Sequence, residues 1–260
     1  MEIIYWNINN RENPVKLINN DDFNSNAKIV AISEFWEQES LIKSSSKFTQ
    51  FQYDLTSKRT GLYSSNFIGM QFQKSEQYFS KYVFKYQNES VFLYLLHLKS
   101  QFRSESEALS LNRHFVNLII TEINSQNYRF AIIMGDFNIS SHDKIFSEHF
   151  NFNTTNYHNE SLKTHKKFYN YNRLKFYSPI DSFNGDLSPG PPGTYYFRKG
   201  NQAQGWHIYD NILVSYPLAK HLDKKECKIL SEIYNTKLLS NLNIPDRKYS
   251  DHLPVQIKLL

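Results

Sequence analysis

Phe130-Ala131-Ile132-Ile133 is an apolar run that stops at Met134-Gly135-Asp136-Phe137-Asn138. A run of this kind reads as a short strand buried on both faces, and open α/β sheets gather their chemistry where such strands end. Asp136 and Asn138 are therefore expected at a strand mouth. Gly135 permits a close backbone approach or an unusual dihedral, and alternation turns Asp136 and Asn138 to one side with Phe137 to the other. A carboxylate and an amide then stand side by side. Alone, the stretch fits a plain structural turn equally well, so its meaning depends on how the other strands end.

Residues 2–8 read as a first strand that ends in Trp6-Asn7-Ile8-Asn9-Asn10, and Lys28-Ile29-Val30-Ala31-Ile32 as a second that ends in Ser33-Glu34. A helix-like continuation covers 35–43. Strands are expected over 48–55, 62–73, 77–87 and 90–98, with Gln87-Asn88-Glu89-Ser90 as a hairpin turn and His97 near the end of the last. Residues 104–125 separate apolar Leu111, Phe115 and Leu118 from polar positions, and Ser104 with Glu107 resembles a capping box, so a helix crosses back to the Phe130 strand. A short helix over 142–150 follows. Ser188-Pro189-Gly190-Pro191-Pro192-Gly193 is a loop, 194–197 and 206–215 are strands carrying Asp210, and Ser250-Asp251-His252 precedes the closing strand 255–260. Strands come in runs as well as alternating with helices, which suits a mixed-sheet sandwich better than a regular βαβ repeat.

The 260 residues suffice for a sizeable core, and with no linker, composition shift or internal repeat they read as one domain, 1–260. The net charge of +5 leans toward an anionic partner. Cys227 is the only cysteine, which excludes an internal disulfide, and nothing beside it marks an activated thiol. The amino terminus lacks the pattern of a secretion signal and no apolar run reaches the length of a membrane span, so a soluble cytoplasmic protein without membrane association or an obligate protein partner is the expectation.

Asn7, Glu34, His97, Asp136 with Asn138, Asp210, and the pair Asp251-His252 all fall at strand ends or just before a strand. Asp, Glu, Asn and His without Cys suggest a hard, oxygen-seeking cation such as Mg²⁺ beside acid-base groups. The pieces Trp6-Asn7, Ser33-Glu34, His97-Leu98, Gly135-Asp136-Phe137-Asn138, Asp210-Asn211-Ile212-Leu213 and Ser250-Asp251-His252-Leu253-Pro254-Val255 stand in the order of the endonuclease/exonuclease/phosphatase family, which the chain resembles from residue 6 to 255. That resemblance implies an α/β fold, a four-layer sandwich of two mixed β-sheets flanked by helices, and a metal-dependent phosphodiesterase.

Carried over by position, the resemblance implies Glu34 as the main metal ligand, with Asp251 and the amides of Asn7 and Asn9 nearby, and Mg²⁺, or else Mn²⁺ or Ca²⁺, as the ion. Asp136 would orient or deprotonate the attacking water, and Asn138 would hold the scissile phosphate. His252, fixed by Asp210, would donate to the phosphoryl group, and His97 would be a second acid facing the phosphate. Asn7 is also a candidate substrate contact. Some branches carry Asp where this chain has Asn9. The carboxylate that orients His97 is not evident, with Glu76 as a guess against a solvated loop residue.

His207 reads as a strand surface residue, Lys224-Lys225 as a solvated turn and Trp36 as packing. The basic aromatic stretch 165–173 and Arg198-Lys199 either follow a phosphate backbone and stack bases or are exposed loops. The leading reading is a nuclease acting on DNA or RNA. The alternative keeps the site and changes the substrate to an inositol phosphate, a phospholipid head group or a nucleotide. Phe137 and the segment 206–210 depart from the inositol phosphatases of the family. A non-catalytic module on the same fold ranks last, because the acidic and imidazole groups are all present.

Overall fold

A computed structural model describes residues 1–19, 28–44, 51–53, 59–65, 68–101, 104–162, 173–198 and 204–260. The expected basic stretch at 165–173, apart from Arg173, lies outside the described residues, as does Lys199.

Branched and aromatic residues at the amino terminus form β1 (Glu2–Asn7), followed by helix α1 (Glu12–Ile18). β2 (Lys28–Ser33) runs parallel to β1, with Glu2 opposite Lys28 and Asn7 opposite Ser33, so the polar ends of the two strands come level. A 3-10 turn, Trp36–Gln38, and helix α2 (Glu39–Lys43) lead to β3 (Phe51–Tyr53) and β4 (Thr60–Ser64). The single strand expected over 62–73 is in fact two. The chain turns after Ser64, where Ile68 N–H donates to Ser65 O (3.0 Å) and Gly69 takes a left-handed φ of 62°, and β5 (Gln71–Glu76) belongs to the other sheet.

β5, β6 (Phe79–Tyr86) and β7 (Glu89–His97) form an antiparallel meander. Helix α3 (Glu105–Ser125) then crosses over to β8 (Phe130–Asp136), which lies parallel to β7. The expected capping box is not formed: the Ser104 side chain makes no cap bond, and Glu107 pairs instead with Lys99 Nζ (2.5 Å). Short strands β9 (Thr154–Thr155), β10 (Phe176–Tyr177), β11 (Tyr195–Tyr196) and β12 (Trp206–His207) precede β13 (Asp210–Ser215). The strand expected over 206–215 breaks at Ile208 and Tyr209, where the backbone N–H groups of Tyr209 and Asp210 turn to the buried Thr194 Oγ1 (3.1 Å each). β14 (Lys228–Ile229), a small ribbon of β15 (Glu232–Ile233) and β16 (Thr236–Lys237), and β17 (Val255–Lys258) complete the chain.

The strands make two mixed sheets, ordered β14-β17-β1-β2-β4-β3 and β5-β6-β7-β8-β13-β10-β9. Alternation decides what each face buries. Ile132 and Met134 of β8, Leu93 and Leu95 of β7, and Ile212 and Val214 of β13 join the core that includes Ile3, Tyr5, Ile29 and Ala31 of the first sheet. The odd positions Ala131 and Ile133 pack against Phe115, Val116 and Ile119 of α3. Val15, Ile18 and Ile42 of α1 and α2 are buried with the first sheet. The result is a four-layer α/β sandwich of two mixed sheets flanked by helices. β1 is also antiparallel to β17, Glu2 opposite Lys258, and the Met1 ammonium donates to Leu259 O (2.6 Å).

Candidate active site

Asn7, His97, Asp136 and Asp210 are the last or first residues of strands whose preceding or following same-face neighbours fill the core between the sheets. They therefore project at the seam of the sandwich. The paired strands fix their spacing, with His97 opposite Asp136 across β7 and β8, and Asp210 opposite Asp136 across β8 and β13. Gly135 makes this close pairing possible. Its φ is +147°, and a Cβ there would stand 2.1 Å from Leu96 O on the neighbouring strand.

Glu34 follows Ser33, and extended alternation would send its side chain to the opposite face. A left-handed φ of 52° turns it back. The same kink leaves Phe35 fully buried and Trp36 44% exposed, so Trp36 is not the packing residue expected from the sequence. Glu34 Oε1 accepts from Asn7 Nδ2 (3.1 Å) and lies 3.3 Å from His97 Nε2. Burial alone would raise the Glu34 carboxyl, but the hydrogen bond and charge of His97, the bond from Asn7 and the nearby His252 outweigh it and hold its pKa at about 2. The group facing His97 is thus Glu34. Glu76 is an exposed residue of the edge strand β5, beside His114 and Leu118, and does not orient His97.

Asn7 Nδ2 also reaches Asp136 Oδ2 (3.0 Å), so one amide group separates and steadies two carboxylates. Asp136 is buried. Desolvation, and then the charge of Asp210, push its pKa up to about 6 against the opposing pull of His252, His97 and the Asn138 N–H. Asn138 N–H donates to Asp136 Oδ1 (2.9 Å), and Asn138 Nδ2 donates to Leu98 O (3.0 Å). His252 Nδ1 stands 2.8 Å from Asp210 Oδ2. Burial lowers the His252 pKa, but the charge and hydrogen bond of Asp210, with Asp136 and Asp251, raise it to about 10. The imidazole is accordingly cationic at neutral pH, with Nε2 4.0 Å from Asp136 Oδ2.

His252 is fixed by groups that have no periodic signature in the sequence. Trp6 Nε1 donates to His252 O (3.0 Å), and Ser250 Oγ donates to Asn7 O (2.7 Å) while accepting from His252 N–H (3.1 Å). Asn112 of α3, fully buried, spans the Lys99 peptide: its Oδ1 accepts Lys99 N–H and its Nδ2 donates to Lys99 O, both at 2.9 Å. This clamp sets the turn behind His97 and Leu98. Nothing in the sequence marks Thr194 or Asn112 for these roles, and Ser250 stands out there only as part of the Ser250-Asp251-His252 piece.

Glu34, His97, Asp136, Asn138 and His252 line a cleft of about 570 Å³ together with Asn9, Ser100, Gln101, Glu105, Asp251, Tyr195, Phe197, His207 and Tyr209, while Asp210 stands behind His252, outside the lining. Asn9 Nδ2 donates to Asp251 Oδ1 (2.9 Å). The Tyr195 ring lies 4.7 Å from that of His252, and His207 stacks on Tyr209 at 5.1 Å, so His207 is part of the cleft wall and not merely a strand surface residue. Arg198 is exposed and outside the lining, and among the described residues neither Lys nor Arg belongs to it.

Glu34, His97 and Asp136 offer ligand atoms within 4.8 Å of one another, as do Asp136, Asp210 and His252. Asp210 Oδ1 and His97 Nδ1 are buried without a hydrogen-bond partner. Oxygen donors predominate and Glu34 is ionised, so the residues fit a hard divalent cation.

The two mixed sheets, with polar groups gathered at their seam, define the endonuclease/exonuclease/phosphatase fold. A mannosyl-6-phosphatase from Bacteroides thetaiotaomicron shares it at a TM-score of 0.61 and 14% identity, over 100% of this chain and 99% of that one. So does sphingomyelinase C from Streptomyces griseocarneus, at a TM-score of 0.59 and 12% identity over 100% and 99% of the two chains. An AP endonuclease from Archaeoglobus fulgidus matches at a TM-score of 0.57 and 14% identity, again over 100% and 99%. At these identities the likeness is one of fold. No protein-family model matches the sequence, and no curated protein does. Among the described residues no helix is long and apolar enough to cross a membrane.

Proposed function

We propose that this chain, acting as one domain, is a divalent-metal-dependent phosphodiesterase whose substrate is DNA or RNA. The observation that carries the reading is the set Glu34, His97, Asp136 and His252 at one cleft, with Asp210 behind His252 holding it cationic beside a carboxylate of raised pKa. Glu34 and Asp251, with Asn7 and Asn9 beside them, would hold the ion, Mg²⁺ first and Mn²⁺ or Ca²⁺ as substitutes. When bound, it neutralises charge on the phosphate oxygens and makes water more acidic.

Asp136, with a pKa of about 6, suits the acceptance of a proton from the attacking water near neutral pH. His252 carries the proton that the phosphoryl or leaving oxygen needs, and Asp210 on Nδ1 keeps Nε2 directed into the cleft. Asn138 and His97 would hold the scissile phosphate from the β7 and β8 side. Displacement then proceeds in line at phosphorus, with positioning and charge doing most of the catalysis.

A second reading, hydrolysis of a small phosphodiester such as a phospholipid head group or a nucleotide, draws on one observation. The described lining holds aromatic rings and imidazoles but no Lys or Arg, which a long polyanion would use. The test is nicking of supercoiled plasmid with Mg²⁺, with and without chelator, beside Asp136→Asn. Metal-dependent nicking lost in the variant supports the nuclease; its absence, with turnover of bis-p-nitrophenyl phosphate or a phospholipid, would move the reading to small phosphodiesters.

A further inference from the structure

Behind the seam, on the face of β13 opposite Asp210, lies a second polar group that the chemistry above does not use. Asn211 is buried, and its Nδ2 donates to Asp181 Oδ1 (2.8 Å). Asn211 Oδ1 accepts from the Ile212 N–H (2.8 Å) and from Ser178 Oγ (3.1 Å). Ser178, Ser141 and His142 lie near the Asp181 carboxylate and favour its charged form. Burial pushes its pKa up to about 6 against those partners.

The placement of these residues is what matters. Asn211 adjoins Asp210 in β13 and stands opposite Gly135 of β8. Asp181 thus holds, from the side away from the cleft, the strand that carries Asp210. A carboxylate this deep costs desolvation energy, which an apolar side chain of similar volume would avoid.

We propose that Asp181 is a positioning residue: through its bond from Asn211 it sets Asp210. It touches no substrate. The inference rests on the phosphodiesterase reading for its kinetic consequence and on the fold alone for its geometric one. A displaced Asp210 turns the His252 imidazole, and a misplacement of about 1 Å at a reacting group costs ~100-fold in rate.

The test compares Asp181→Leu, Asn211→Asp and the swap Asp181→Asn with Asn211→Asp in the full chain. Asp181→Leu removes the acceptor and Asn211→Asp sets two carboxylates face to face, whereas the swap keeps a donor–acceptor pair with the two roles exchanged. With the substrate that the unaltered protein hydrolyses, each single variant should lose roughly 10- to 100-fold in kcat with KM within about twofold, and the swap should regain most of the loss. Melting temperatures taken in parallel separate positioning from unfolding. The downfield Nδ1–H proton resonance of His252, assigned by its disappearance in His252→Asn, needs no turnover: it should shift in Asp181→Leu and in Asn211→Asp and return in the swap. Unchanged kcat, loss of kcat only in proportion to unfolded protein, or an unmoved resonance would overturn the inference. An inactive parent protein would overturn the functional reading instead and leave the resonance to decide.

Discussion

Asp210 Oδ2 lies 2.8 Å from His252 Nδ1, with both side chains buried. The folded protein therefore binds a proton on His252 that the unfolded chain releases near pH 6.5, and it keeps that proton up to about 10. The resulting stabilisation is fully present below pH 6.5 and is lost as pH rises toward 10. Urea midpoints measured in chelator should fall across that window. In Asp210→Asn the fall should flatten, since burial alone disfavours the imidazolium. Parallel curves for the two proteins would contradict the assignment.

Glu34 is the most exposed carboxylate bonded to the Asn7 amide and is ionised over the whole neutral range. A cation bound there stabilises the fold by mass action, ~2.7 kcal/mol at about 100 times Kd, which for a chain of this size raises Tm by roughly 5–10 °C. Mg²⁺ titration followed by thermal melting should show that rise in the unaltered protein and not in Glu34→Gln. An equal rise in both would remove Glu34 from the metal site.

Gly135 has no room for a methyl group, with Leu96 O at 2.1 Å from the position of its Cβ. Gly135→Ala must push β7 and β8 apart where His97 and Asp136 stand level. A loss of ~3 kcal/mol or more is expected from strain and overpacking. Denaturation midpoints within experimental error of the parent would show that the strands yield.

Asn112→Ala leaves the Lys99 N–H and C=O without their buried partner, at a cost of ~2 kcal/mol. The turn it holds carries Leu98 O, the acceptor of Asn138 Nδ2, so the proposed phosphodiesterase activity should fall at temperatures where the variant is still folded. Full activity with reduced stability would confine Asn112 to the scaffold.

What could be read in the sequence was what strand periodicity carries. Asp136 and Asn138 follow an apolar strand, Phe137 packs beside Phe146 and Phe152 away from the site, and His97 and Asp210 end or begin runs whose alternation is visible by inspection. The pairing of Glu34 with His97 was not legible, because it depends on a left-handed residue that breaks the alternation just where it matters. Thr194, Ser250 and Asn112 act through bonds to backbone groups of distant segments, and no spacing along the chain announces such bonds. The strands expected over 62–73 and 206–215 failed for a related reason. Their composition is strand-like throughout, and what divides them is a change of sheet in one case and a threonine hydroxyl in the other.

The antiparallel pairing of β1 with β17 places Met1 and Leu260 at one pole, while Asn7 lies at the opposite end of β1. A pulling force applied between the two termini therefore loads the ladder as a zipper, one hydrogen-bonded pair at a time beginning with Met1 and Leu259, and not in shear. Mechanical yielding should begin at low force and reach the cleft end of β1, at Asn7, last. An optical-tweezers trace with a single high-force rupture would contradict that order, whereas stepwise release would allow the proposed activity to be followed on a tethered molecule whose ends have already begun to part.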